Sequence, residues 1–493
     1  MMLEQLLAGF VNAAEPVNLL FMALGVALGI VVGILPGLGS VTALSILIPI
    51  TFYMSPLVAI AFLVGVNKGG TSGGAIPAIL LNAPGTPEAA ATAFDGYPMA
   101  RAGMPVKAMK TALYASVCGD TLSDALLILV AAPFAAFALR FGPAEFTAIV
   151  VFSFTLIAGL SGPSLLKGIL SAALGVFLSM IGLDPMVSTP RMTFDIVELY
   201  DGISLNAVAI GSLALSSVIA QIFEHRRRAD GPHEANTPGF DPALNRLHPA
   251  EFWGNWRTLL RSALIGSGIG MLPGLGVTLA AFLGYGSAKR ASRHPERFGT
   301  GIVEGVMATE AANSAVVGAN LVPTIALGIP GNIAAALIIG AFMIHGVVPG
   351  PFMMEQHGEL IYSIFASMLI CNAFHLIVGR IGIRIWGTIT RVPIRIVLPA
   401  VIVLCVVGVY VPSQSLFDVG VMLAFAGLGV LMQRTGFSVV CLVIGFLLGP
   451  MFEGSLRQTL LMYKANLSIL LTSPIALVFL VLTIVSLWRF ARR

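Results

Sequence analysis

Gly33-Ile34-Leu35-Pro36-Gly37-Leu38-Gly39 returns 237 residues later as Gly270-Met271-Leu272-Pro273-Gly274-Leu275-Gly276. A second motif follows in each half: Pro77 with Pro84-Gly85, and Pro323 with Pro330-Gly331, at an offset of 246. At that offset Asn67 falls on Asn313, Thr86 on Asn332, and Ala89-Ala90-Ala91 on Ala335-Ala336-Leu337. One such heptapeptide could arise by chance. Two motif pairs, in one order and at nearly one spacing, indicate a duplicated chain.

Outward from these motifs the chain is strongly apolar. Of 493 residues, 57% are hydrophobic and 10% charged, with a mean hydropathy of +0.94. A water-soluble surface cannot be built from so little charge. Apolar stretches of about 17–25 residues recur from Leu19 to Trp488, each long enough for roughly 30 Å of hydrocarbon. Backbone groups in lipid must be satisfied within their own segment, which predicts helices; barrel strands would alternate with a period of two. Several of the 54 glycines and 29 prolines interrupt apolar segments. Such breaks survive in a bilayer only where protein or a polar cavity covers the freed backbone. The net charge of +4 requires no nucleic-acid partner. Cys118, Cys371, Cys405 and Cys441 lie in or beside apolar segments, with no CxxC pair, and read as small buried residues. Residues 1–18 carry Glu4 and Glu15 and no basic cluster, so no cleavable signal peptide is expected.

Charge assigns sides, because Lys- and Arg-rich loops stay cytoplasmic. Residues 224–257, with Arg226, Arg227, Arg228, Arg246 and Arg257, are expected inside, and so is the basic stretch 289–297. The second Leu-Pro-Gly-Leu-Gly element therefore enters and leaves from the inside. The flanks of the first, residues 1–18 and 51–56, hold no basic residue and are expected outside. Arg101, Lys107 and Lys110 follow the second motif of half one, whereas Glu355 and Glu359 stand at the equivalent place in half two. The expectation is an all-α polytopic membrane protein of two inverted-topology repeats, with discontinuous or re-entrant helices and about 10–14 membrane segments. Its parts are a first repeat over 19–223, a cytoplasmic connecting loop over 224–257, a second repeat over 258–453 and a last helix over 466–488. The N-terminus is expected to be periplasmic and the C-terminus, with Arg489, Arg492 and Arg493, cytoplasmic.

Helices that begin inside a bilayer point unpaired N–H groups and a positive dipole end at one spot, which suits an anion. Four breaks qualify. Pro36, Gly37 and Gly39 precede one apolar run, and Pro273, Gly274 and Gly276 precede its counterpart. Pro84-Gly85-Thr86 reads as a helix start with Thr86 as N-cap, Pro87 in the first turn and Glu88 after it. Pro330-Gly331-Asn332 is the equivalent, with Asn332 capping the run from Ile333. The alternative is that these breaks are turns packed on neighbours. Asn67-Lys68 and the glycine-rich stretch 69–74, through Gly73 and Gly74 and on to Asn82, expose backbone and uncharged oxygens to a small ligand. Thr71 and Ser72 there, with Glu310, Asn313 and Ser314 in half two, are candidate ligands for Na⁺ or H⁺, and Asn320 is a further solute ligand. Glu310, Asn313 and Ser314 share one helix face at i, i+3 and i+4. An acid inside an apolar helix is a functional candidate, although Glu310 could equally sit near an end and pair with a surface Arg. Lys68 either counters an anionic solute or snorkels to the interface. Asp120 and Asp124, four apart, either line the same cavity or, as the preferred reading, sit near the internal end of their helix, and His345 is placed beside a turn as a structural residue. No Walker A, HExxH, GxSxG or clustered Cys/His spacing occurs, so neither nucleotide-driven pumping nor an enzyme is indicated. A channel would need an uninterrupted polar pore.

These residues resemble the large membrane subunit of the tripartite tricarboxylate transporters, the TctA family. The likeness rests on residues 33–39, on GGTSGGAIPAILLNAPGTPEAAATAFDGYPMARAG at 69–103 and on EAANSAVVGANLVPTIALGIPGN at 310–332. It continues in Ile344-His345-Gly346 and Pro349-Gly350-Pro351. The resemblance implies a permease of the bacterial inner membrane, working with a small TctB-like membrane subunit and a TctC-like periplasmic solute-binding protein. It implies uptake of organic di- or tricarboxylates driven by a Na⁺ or H⁺ gradient, with no other cofactor. A binding-protein-independent carboxylate symporter is the alternative. Asn67-Lys68 stand where the family often carries an aromatic pair, which leaves the solute open.

Overall fold

Proline opens many of the helices, since its missing N–H is not needed in a first turn and its fixed φ suits one. The computed structural model describes residues 2–35, 38–160, 164–184, 187–227, 244–272, 276–389, 394–463 and 468–491. The expected ligands Pro36, Gly37, Pro273 and Gly274 lie outside the described residues. A short α1 (Met2–Ala13), not anticipated in the sequence, precedes α2 (Pro16–Ile34) and α3 (Gly39–Leu47). Then come α4 (Pro56–Gly73), α5 (Ala75–Leu81), α6 (Ala89–Arg101) and the long α7 (Pro105–Ala138). After α8 (Pro143–Leu160) and α9 (Leu165–Ser179), β1 (Gly182–Leu183) pairs antiparallel with β2 (Pro190–Arg191). α10 (Leu205–Ala209) runs through a π-helical stretch at Ile210–Leu215 into α11 (Ser216–Arg227).

The later elements repeat this order. α12 (Pro249–Trp253) leads to α13 (Trp256–Gly270) and α14 (Gly276–Ala291). α15 (Val303–Ala319) and α16 (Leu321–Leu327) correspond to α4 and α5, and α17 (Ile333–Ile344) to α6. After α18 (Met353–Gln356), α19 (Gly358–Ile389) matches α7 in length and place. α20 (Ile394–Ser413), α21 (Leu416–Thr435), α22 (Val439–Met462), α23 (Ile469–Thr472) and α24 (Pro474–Ala491) complete the chain. The last span therefore begins at Pro474, later than the expected 466, because a turn at Ser473 precedes it.

The protein is an all-α, multi-pass membrane protein. At about 1.5 Å per residue, the 19 residues of α2 nearly match a hydrocarbon core of about 30 Å. Among the described residues α2, α7, α19, α21 and α22 are each long and apolar enough to cross. Many other helices are too short to cross alone. α4 and α5 meet at Gly74, and α15 and α16 at Asn320, so each pair is one path with a break in it.

Glycines set how closely the helices approach. A Cβ at Gly29 of α2 would overlap the Val66 carbonyl of α4, and one at Gly33 the Gly70 carbonyl. In half two, a Cβ at Gly266 of α13 would overlap the Ala312 carbonyl of α15, and one at Gly270 would crowd the Val316 carbonyl. These are the same contacts at the same sequence offsets. The stretch 69–74 was expected to expose backbone. Instead, residues 69–73 are helical and buried in α4, with Gly69 seated against Val26 and Gly73 against Ile30. Small residues permit this backbone-to-backbone packing where water gives no hydrophobic drive.

The halves interleave. α7 packs on α15, with Gly119 against Ala311, and α19 packs on α2 and α4. α22 packs on α8 and α9, and α24 on α8. Near β1 and β2, Arg457 of α22 donates to Asp184 at 2.8 Å and Arg191 donates to Glu453 at 2.6 Å, a four-charge knot joining the two halves.

Candidate functional site

Four helices begin around one space. α3 starts at Gly39 and α14 at Gly276, with φ of 58° and 74°, a backbone shape that glycine adopts without strain. α6 starts at Ala89 and α17 at Ile333. A cavity of about 760 Å³ lies among these starts, bordered by residues 39–42, 84–88, 276–278 and 332–334. Asn67 and Thr71, one turn apart on α4, complete the wall with Val317 of α15, which is the counterpart of Thr71. Ser217 of α11 and Val440 and Ile444 of α22 close it.

The chemistry of this wall is uncharged with one exception. Ser40, Thr42, Thr71, Thr86, Ser217 and Thr278 offer hydroxyls, and Asn67 and Asn332 offer amides. Glu88 is the one ionisable side chain among the described lining residues, and no Lys, Arg or His is among them. Helix starts of this kind present N–H groups and a dipole end that favours negative charge. Asn332 caps α17 as expected: its Oδ1 accepts from the Ala335 N–H at 2.8 Å. Thr86 does not cap α6. The helix begins three residues further on, after a turn in which the Ala89 N–H donates to the Thr86 carbonyl at 3.1 Å, and the Thr86 side chain borders the cavity.

Seven of the expected solute ligands meet at the cavity: Gly39, Asn67, Pro84, Gly85, Thr86, Gly276 and Asn332. Thr71, expected as an ion ligand, joins them. Gly85 is also a packing residue, and the remaining expected ligands among the described residues stand off the wall. The Gly85 N–H donates to the Gly74 carbonyl at 3.2 Å, and a Cβ at Gly85 would overlap the Gly33 carbonyl. Gly331, next to the buried Pro330, lies against Asn320 and the Gly270 carbonyl in the same manner. Asn82 is exposed and ends α5 in a left-handed turn. Ser72 is buried away from the cavity.

Glu310 is fully buried, is not among the cavity-lining residues, and has hydroxyls and not a surface Arg as its partners. Thr92 of α6 donates to its Oε1, and Ser116 of α7 donates to its Oε2 at 2.9 Å. On the same helix, the polar side-chain atoms of Asn313, Ser314 and Asn320 are buried without hydrogen-bond partners.

Lys68 neither lines the cavity nor snorkels. Its side chain is fully buried and its Nζ donates to Asp124 Oδ2 at 2.7 Å and to Asn372 Oδ1 at 2.7 Å. Asp120 Oδ1 lies 3.5 Å from the same Nζ, and Asp120 Oδ2 lies 3.4 Å from His375 Nδ1. Asp120 and Asp124 are therefore mid-helix and buried, correcting their expected place near an end. A lysine takes this position because the opposing carboxylates offset its desolvation. Asn372 and His375, at i and i+3 in apolar α19, were missed in the sequence; polar residues at that spacing in an apolar span were the available signal. His345 Nε2 lies 3.4 Å from Thr51 Oγ1.

Broken helices converging on a polar chamber, inside a bundle of apolar spans, define a membrane transport protein. Comparison with known proteins makes the assignment narrower. The chain belongs to the tripartite tricarboxylate transporter TctA family, whose family model matches residues 19–444. It is 34% identical over 476 residues to an uncharacterised 52.8 kDa protein in the TAR-I ttuC′ 3′ region of Agrobacterium vitis, covering 96% of this chain and 93% of that one. It is 36% identical over 211 residues to an uncharacterised protein in the TAR-II ttuC′ 3′ region of the same organism, covering 43% of this chain and 87% of that one. No solved structure matches significantly.

Proposed function

We propose that this chain is the permease subunit of a secondary transporter that imports organic di- or tricarboxylates across a bacterial inner membrane. Family membership supports the transporter class. The observation that carries the solute class is the cavity on which four helix starts converge, with hydroxyls and amides but no basic side chain on its wall. Carboxylate groups bind there through backbone N–H groups, with Thr86 and Asn332 orienting them. Residues 19–223 and 258–453 act as inverted repeats joined by an internal loop over 224–257, and the helix beyond residue 466 ends inside. A Na⁺ or H⁺ gradient drives the cycle, with Thr71, Ser72, Glu310, Asn313 and Ser314 near its path. A periplasmic binding protein delivers the solute, and a small membrane subunit completes the complex.

The test is uptake of labelled citrate, tartrate and succinate into vesicles holding both membrane subunits, with the binding protein supplied outside. Gradient-dependent accumulation of one of them is expected, reduced about tenfold by Thr86→Ala or Asn332→Ala through loss of one hydrogen bond to a charged group. Accumulation by this chain alone would instead make it a binding-protein-independent symporter. Normal transport by both variants would remove the cavity from the mechanism.

A further inference from the structure

The cluster around Lys68 is built differently from the cavity and has a place left over. Counting Lys68 against Asp120 and Asp124, one negative charge stays uncompensated in the core. Asp124 Oδ2 takes hydrogen bonds from Lys68 and from Asn372 Nδ2, each at 2.7 Å. Asp120 takes none on either oxygen, and neither ring nitrogen of His375 has a hydrogen-bond partner, although both side chains are essentially unexposed. A buried carboxylate without a hydrogen bond, paired only at 3.5 Å with Lys68, faces a buried imidazole at 3.4 Å, an unfavourable arrangement as it stands. One added proton cancels the excess negative charge and leaves the pair joined by a hydrogen bond.

We propose that Asp120 and His375, held against Lys68 and Asp124 between α4, α7 and α19, are the seat of a proton that this transporter carries. The proton adds to the Asp120–His375 pair from one side of the membrane and leaves from it to the other; no other bond forms or breaks. Na⁺ does not fit this seat. Hard cations take several oxygen ligands, whereas here a lysine ammonium stands 3.5 Å from one Asp120 oxygen and a ring nitrogen 3.4 Å from the other. The ionisable groups near enough to act on Asp120 are Lys68 of α4, at 3.5 Å, with Asp124 of α7, Cys371 of α19 and Glu310 of α15. Glu310 already accepts a hydroxyl on each oxygen.

The link to the solute runs through α4. Asn67 and Thr71 face the cavity while Lys68, between them, faces the cluster. When the proton leaves, Asp120 competes with Asp124 for the Lys68 ammonium, which ties the proton to the helix that forms the cavity wall. This inference rests on the carboxylate-uptake reading only for that link, so its test has a readout independent of solute.

The complete transporter in proteoliposomes is followed by infrared difference spectroscopy between acidic and alkaline pH, and by accumulation of labelled citrate, tartrate and succinate under an imposed pH gradient. Acidification adds the C=O stretch of a protonated carboxyl. Asp120→Asn removes one component of that band, His375→Gln shifts the midpoint of that component, and Glu310→Gln keeps it. Accumulation falls at least about fivefold in Asp120→Asn, in the range of typical coupling between sites, while its solute counterflow is affected less than its accumulation. If Asp120→Asn fails to assemble, the midpoint shift in His375→Gln decides the question. A band undiminished in Asp120→Asn, or a component whose midpoint is unmoved by His375→Gln, overturns the seat even if uptake is intact. If no probe moves while the band behaves as stated, the carboxylate reading fails and the proton seat stands.

Discussion

At the scale of single residues, Asn332 and Glu88 play opposite parts on one wall. Asn332 takes up the Ala335 N–H, and loss of such a cap costs about 1 kcal/mol. Asn332→Ala is thus expected to lower the thermal midpoint modestly in detergent, while Asn332→Asp retains the cap and weakens anion binding. If the solute is a carboxylate, an ionised Glu88 would oppose it across the cavity. Glu88→Gln is expected to tighten citrate binding by about tenfold, which is about 1.4 kcal/mol of removed repulsion; isothermal titration at fixed ionic strength reads it, and unchanged affinity places Glu88 outside the binding event. The sequence pointed to much of this wall because glycine and proline inside an apolar run have few other uses. It could not show where Lys68 turns. A basic residue beside a cavity-facing Asn67 looks like an anion ligand until α7 and α19 are seen to supply Asp124 and Asn372.

At the scale of elements, close helix contacts depend on which glycines have a neighbour. Gly266 has the Ala312 backbone where its Cβ would go, whereas Gly427 on α21 has open space. Gly266→Ala is expected to destabilise by about 1–3 kcal/mol as overpacking does, and Gly427→Ala to be neutral or stabilising by up to about 1 kcal/mol. Thermal unfolding of the two variants side by side checks the sign of each. Spans such as α7, α19 and α21 were legible from apolar length alone. The path of residues 69–73 was not, because glycines that permit tight packing and glycines that open a chain are the same letters. β1 and β2 gave no signal either, being two residues each within a polar turn.

At the scale of the whole molecule, the duplicated halves do not form two lobes. α7 lies on α15, α19 on α2 and α4, and α22 on α8 and α9. Residues 1–227 and 244–493 expressed as separate fragments are therefore expected to co-purify when made together, and each to be degraded when made alone. Recovery of either fragment folded by itself would contradict the interleaving. The order of synthesis adds a consequence. Asp124 waits 248 positions for Asn372, and Lys68 waits 304. As the nascent chain leaves the ribosome, α4 and α7 enter the membrane with only each other to neutralise their charges. The unfinished protein thus shelters an ion pair in lipid until its last third arrives, and that interval is when it is most exposed to quality-control proteases.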